Sequence, residues 1–178
     1  CDLADAAAAA VIGGRRRTTR DIPIRSTALR SGHLWDHRSI HPWGFELVRD
    51  TAHDAYEAAG IGPQDVDMVE LHDAFTIGEL VTSEALGLAT EGGAAKLLRS
   101  GQSALGGTQP INPSGGLLSR GHPLGATGLA QVAEATWQLR GDCGDRQVAG
   151  ARTALVETMG GGTAGIDGNG CVVAILGG

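Results

Sequence analysis

No stretch of this sequence is apolar for the roughly 18 consecutive residues that a bilayer-crossing helix needs, so membrane insertion is not expected. A basic excess is missing too. The formal net charge is -6 and the sequence pI about 5.4, the reverse of the balance shown by a nucleic-acid surface, and no nucleic acid is expected as a partner. The three cysteines, Cys1, Cys143 and Cys171, have spacings that match neither a disulfide framework nor a metal-binding pair, which fits a reducing cytoplasm. No basic segment followed by an apolar one opens the chain, so no secretory signal is read, and the first residue is Cys1 rather than Met. The chain therefore reads as a fragment or a processed product. Internal repeats and low-complexity tails are also lacking, and the 178 residues suit a single domain, 1–178, with its own core.

Glycine is abundant instead. Its 29 residues are about double the ~7% of ordinary usage, and they lie among apolar segments without a collagen-like period. That distribution calls for tight turns and close backbone approaches. One basic cluster stands out, Arg15, Arg16, Arg17 and Arg20. A solvated loop is its plainer reading, ahead of a site for an anion such as a CoA phosphate.

Hydrophobic spacing divides the chain into elements. Residues 5–14 (DAAAAAVIGG) combine alanines that favour helix with a Val-Ile-Gly-Gly ending that favours a strand, so a helix running into a strand is expected there. Residues 24–29 form a strand candidate, and residues 33–42 (HLWDHRSIHP) an irregular loop. Within that loop His33, His37 and His41 are four apart. A helix would align them for a metal, but the weak helix formers and Pro42 oppose one, and no metal is assigned. Residues 45–59 carry apolar side chains at helical spacing and stop at Gly60. A turn at Pro63, Gln64 and Asp65 leads into a strand over 66–71 (VDMVEL) that ends at His72. Helical spacing resumes over 74–88 and, briefly, over 92–98. Residues 106–121 are rich in Gly, Pro, Asn and Ser and read as a long loop, of a length more often functional than accidental. A helix is expected over 124–139, with Leu129, Val132, Ala133, Thr136 and Trp137 on one face, followed by strands over 153–159 and 171–176. Strands alternating with helices imply a layered α/β domain around a mostly buried sheet.

Ligands collect where strands of such a sheet end. Three segments qualify: 72–75 (HDAF), 112–128 (NPSGGLLSRGHPLGATG) and 159–170. His122 lies between Gly121 and Pro123 in a loop that opens a helix, close to backbone amides that can bind an oxyanion. An imidazole there can take a proton from a thiol or donate to an alkoxide, and helix capping is the competing reading. His72 starts a helix beside Asp73, which can cap that helix or hold the His72 tautomer. Capping is the more common job of such a pair seen alone.

The segments VDMVELHDAF and NPSGGLLSRGHPLGATGLAQVAEATWQLRG, with the glycine-rich carboxyl end, resemble the C-terminal half of the thiolase superfamily. The likeness is strongest toward its sterol-carrier-protein and lipid-transfer branch. The opening DAAAAAVIGG and ALRSG extend it over nearly the whole chain, and the GHPLGATG run is its most specific part.

The resemblance implies a thiolase-like C-terminal half, α/β in class, with a mixed central sheet flanked by helices. It would pack against an N-terminal half that carries the nucleophilic cysteine and then dimerise. It implies catalytic roles for His122, which would activate that cysteine, and for His72, which would help hold a thioester oxygen. Asn112, Gly121, Gly160 and Gly161 would serve the oxyanion and substrate sites, the last two within a loop at 159–162. The substrate would be a coenzyme A thioester, with no tightly bound cofactor.

The sequence departs from the family where a proton-transfer cysteine usually sits. Thr158 and Met159 precede the glycines, and Ala74 holds the third place of HDAF. Cys171 is a possible acid/base if residues 165–170 fold back, although at the head of CVVAIL it reads more readily as a buried strand residue. The leading expectation is an acyltransferase of thiolase type. A retro-aldolase working with a small partner protein needs only a base and a hole for the enolate, and a non-catalytic scaffolding subunit is the alternative from another class.

Overall fold

In the computed structural model, which describes residues 1–161 and 165–178, the chain forms a four-stranded mixed sheet with helices on both faces. The first strand, β1 (Ile24–Arg30), precedes helix α1 (Phe45–Ala59). Apolar residues spaced three and four apart bury Leu47, Val48, Ala52, Ala55 and Tyr56, and α1 ends as predicted at Gly60, whose φ of 66° suits glycine. A 3-10 turn at Pro63–Asp65 leads to β2 (Met68–Glu70), shorter than the 66–71 expected. Helices α2 (Thr76–Ala85) and α3 (Ala94–Arg99) follow, then α4 (Gly116–Arg120) and α5 (Thr127–Arg140). The chain closes with β3 (Thr153–Gly160) and β4 (Gly170–Gly177).

The sheet order is β1-β4-β3-β2, with β4 antiparallel to β1 and β3, and β2 parallel to β3. Alternation along the strands sends Leu155, Val173 and Ile175 toward α1, where they join Val48, Ala52 and Leu71 in the larger core. The intervening residues Ala154, Val156, Ala174 and Leu176 face α5 and form a smaller core with Met68 and Ala135. Beyond β2, residues 110–112 cover the sheet edge, since Val69 donates its amide to Pro110 O and accepts from Asn112 N.

Three expectations are corrected. Residues 5–14 form neither helix nor strand and lie largely exposed. An alanine-rich stretch this short has little intrinsic helix stability without a packed face, and a strand needs a hydrogen-bonded neighbour. The 106–121 segment is not wholly loop, because α4 sits inside it: Gly115 and Gly116 turn the chain at φ 93° and 64°, and the Asp73 carboxylate accepts the Leu117 amide. The apolar face expected of α5 is only in part its buried one, Val132 packing against the smaller core. Leu129 and Trp137 are 44% and 46% exposed, while Thr127, Gln131, Glu134, Ala135 and Gln138 turn inward.

Candidate functional site

The site is a consequence of strand register. Parallel pairing sets Glu70 opposite Val156, so two residues further on, where β2 has ended and β3 still pairs with β4, His72 comes beside Thr158. The His72 Nδ1 lies 3.3 Å from the Thr158 hydroxyl, and the His72 amide donates to Glu157 Oε2 at 2.9 Å. Asp73 does not perform the capping or tautomer role expected of it, since its carboxylate turns to α4 and accepts the Leu117 amide at 2.7 Å. That contact also explains Gly116, where any Cβ would come within 2.0 Å of Asp73 Oδ2.

His122 arrives from the loop before α5. Its backbone is clamped by the first residues of the chain, donating to Asp2 O at 2.8 Å and accepting from Ala4 N. Its ring meets that of His72 edge-on, with centroids 4.9 Å apart. The two histidines singled out in the sequence thus converge from separate turns.

The proton on His122 can be located from its neighbours. Its Nδ1 is 2.7 Å from Thr127 Oγ1, and that hydroxyl also donates to Pro123 O at 3.1 Å. A carbonyl only accepts, whereas an imidazole nitrogen can do either. Both contacts are satisfied when Nδ1 carries the hydrogen and Nε2 the lone pair, the tautomer of a base.

The surroundings keep both rings neutral. Burial, then His122 and the Arg120 charge, lower the His72 pKa to about 4. Burial and Arg120 also lower that of His122. The Nε and Nη2 of Arg120 are buried without an acceptor among the described residues. Beneath the site, burial raises Glu70 and Glu157 each to about 7. Glu70 accepts from the Ser114 amide and hydroxyl, which ties the 112–115 turn to β2.

The other predicted site residues are arranged less simply. Asn112 adopts φ 49° and uses its Oδ1 to accept the Leu71 amide at 2.8 Å, its buried Nδ2 having no acceptor among the described residues. The Gly121 amide is already donated to Leu117 O at 3.1 Å, so it has no free N–H for an oxyanion. Gly121 is needed for shape: at φ 81° a Cβ would meet Ala4 at 2.8 Å. Gly160 ends β3 opposite Gly170, and Gly161 follows with φ 79° against Asn169; Gly162, the last residue of the predicted loop, lies outside the described residues.

Cys171 does not join the histidines. It is buried on the α1 side of the sheet, its Sγ 3.7 Å from Glu157 Oε1, and burial beside that carboxylate pushes its thiol far up, away from the thiolate. Nor do the histidines of the 33–42 loop gather: His37 packs on Trp35 and His41 stacks on Phe45 beside Glu46. Thr127 and Thr158 are the site residues that sequence reasoning passed over. Thr158 was noted only as the absence of a cysteine, and Thr127 carried the weak signal of opening a helix five residues after a histidine.

Comparison with known proteins agrees with this fold. The family model described as thiolase C-terminal domain-like matches residues 32–167. Rat "Sterol carrier protein 2" is 43% identical over 93% of the chain and 32% of its own length, and the human protein of that name is 55% identical over 66% and 21%. "Benzoylsuccinyl-CoA thiolase subunit BbsB" of Thauera aromatica is 41% identical over 91% of the chain and 43% of its own length. The chain thus spans between 21% and 43% of these relatives. A solved "Ltp2-ChsH2(DUF35) aldolase" superposes with a TM-score of 0.72 at 26% identity, covering 89% of this chain and 41% of the other. Among the described residues no helix is long and apolar enough to cross a membrane. The fold, the converging histidine turns and the family match agree: the chain belongs to the thiolase C-terminal-domain family.

Proposed function

We propose that this chain, folding as one domain over 1–178, is the C-terminal half of a cytoplasmic enzyme that makes or breaks a carbon-carbon bond next to an acyl-CoA thioester. The observation that carries the reading is the pair of neutral imidazoles meeting edge-on at 4.9 Å in the turns after β2 and before α5. His122, with its Nε2 lone pair, serves as the base. It takes a proton from a nucleophile brought by an N-terminal thiolase half, or from the hydroxyl of a β-hydroxyacyl substrate. His72 donates a hydrogen bond to the thioester oxygen as negative charge develops there, with Asn112 and the Gly160–Gly161 backbone assigned to the same oxyanion and substrate role. Cys171 takes no part.

A retro-aldol reaction is favoured within this class by one specific feature. Thr158, Met159 and Ala74 stand where an acid/base cysteine would be needed for Claisen chemistry. Aldol cleavage needs the base and the oxyanion donor alone. The likeness to an aldolase solved under a two-component name supports assembly with a partner chain, alongside a homodimer.

The test is turnover of β-ketoacyl-CoA and β-hydroxyacyl-CoA by the protein assembled with its N-terminal half. A new acyl-CoA identifies the thiolase, and a free ketone or aldehyde the aldolase. His122→Ala should lower the rate by about 10²- to 10⁴-fold. An unchanged rate, or acyl-CoA binding without turnover in the wild type, would leave a scaffolding subunit instead.

A further inference from the structure

Each histidine ring has a threonine hydroxyl at its Nδ1, but the two hydroxyls stand in different backbones. Thr127 opens a helix and has the Pro123 carbonyl four residues back to receive its hydrogen. Thr158 lies in β3, whose carbonyls serve the ladders with β2 and β4, and a strand offers no carbonyl four residues back. Among the described residues, the side-chain partner of its hydroxyl is His72 Nδ1, at 3.3 Å. Nor is Thr158 free to turn away, because its methyl packs on α5 so closely that a Cβ at Gly128 would come within 3.3 Å of it.

Resting on the function proposed above, we infer that Thr158 is a positioning residue. It donates its hydroxyl hydrogen to His72 Nδ1 and thereby fixes His72 as the tautomer with N–H at Nε2. A neutral imidazole has one ring hydrogen, so the group that occupies one nitrogen decides what the other offers. The low pKa of His72 keeps the ring neutral at pH 7, where this choice operates. The consequence is a division of labour between like side chains. His122 presents a lone pair at Nε2 and His72 presents a hydrogen at Nε2, so the cleft accepts a proton on one side and donates a hydrogen bond on the other. A carbonyl oxygen, such as that of a thioester, is the ligand atom that complements His72 in this state. The hydroxyl at position 158 thus has its own task, distinct from the proton transfer of a cysteine.

The experiment reads the tautomer directly and needs no substrate. The protein is labelled with ¹⁵N at histidine, and the His72 ring signals are identified by their loss in His72→Asn. At pH 7 the wild type should show a protonated Nε2 and an unprotonated Nδ1. Thr158→Val keeps the shape and removes the hydroxyl, and should raise the Nδ1–H population at least threefold, whereas Thr158→Ser should restore the wild-type pattern. A wild-type His72 protonated at Nδ1, or a valine variant with unchanged ring signals, would overturn the inference. The wild-type measurement decides even if the valine variant fails to fold. The tautomer assignment and the His122→Ala turnover test fail independently, so loss of the proposed function leaves this result standing, and the reverse also holds.

Discussion

The two faces of the sheet are built from different materials. Toward α1 the contacts are nearly all apolar, a continuous cluster running from Phe45 and Val48 through Leu155 to Ile175. Toward α5 the apolar cluster is small, and Glu70, Gln131, Glu134 and Gln138 are buried around it. Most of these polar groups are partnered: Arg146 holds Glu134 through two nitrogens at 3.1 and 2.9 Å, Gln138 bonds Glu134, Arg146 O and Val148 N, and Gln131 donates its Nε2 to Glu157 O, its Oε1 having no partner among the described residues. The first face supplies burial, which is non-directional, and the second supplies hydrogen bonds, which fix position. Both histidines lie at the end of the second face.

That contrast is tested most strongly on the apolar side. Leu155 is fully buried in the α1 cluster. Leu155→Ala should cost about 3 to 4 kcal/mol in urea denaturation, because the lost transfer energy is joined by a cavity between sheet and helix. A loss below about 1 kcal/mol would mean that this face is not the main source of stability.

Glu157 is the exception on the α1 side, a fully buried carboxyl beside Cys171 whose pKa burial raises from 4.5 to about 7. Its folded pKa lies above its unfolded one, so the stability it contributes is present below pH 4.5 and lost as pH rises through 7. His72 acts in the opposite sense. Its pKa falls from 6.5 to about 4, so its contribution is present above pH 6.5 and lost as pH falls toward 4. Glu157→Gln keeps an acceptor for the His72 amide and removes the ionisation. Relative to wild type it should gain roughly 2 kcal/mol at pH 9 and little at pH 4. Parallel stability curves for the two proteins across that range would refute the assignment.

Legibility in the sequence followed the same division. The α1 side could be read because Leu47, Val48, Ala52, Ala55 and Tyr56 repeat at helical spacing and 171–176 is an apolar run, so hydropathy and burial coincide there. On the α5 side they part. The inward residues Gln131, Glu134 and Gln138 are polar and bond partners distant in sequence or one another, which no periodicity reveals. Helix α4 was hidden for a related reason: its start depends on Asp73, more than 40 residues earlier, accepting the Leu117 amide. Among the site residues, His72 and His122 were visible as motif members. Their hydroxyl partners were not, because Thr158 reaches His72 only through the register of β2 on β3.

The mildest effect should come from the outward side of α5, and it is informative because sequence patterning expected the opposite. Leu129 belongs to the apolar stripe that amphipathic spacing would sink into the core, yet it stands 44% exposed while Gln131 beside it is fully buried. Were the helix rotated to bury that stripe, Leu129→Gln would strip apolar area from the core and cost several kcal/mol. In the observed orientation the glutamine meets solvent, helix propensity hardly changes, and the loss should stay within about 0.5 kcal/mol. Chemical denaturation of this variant therefore discriminates between the two rotations of α5. That outcome bears on the site as well, because the same rotation carries Gly128 against Thr158 and sets Thr127 under His122.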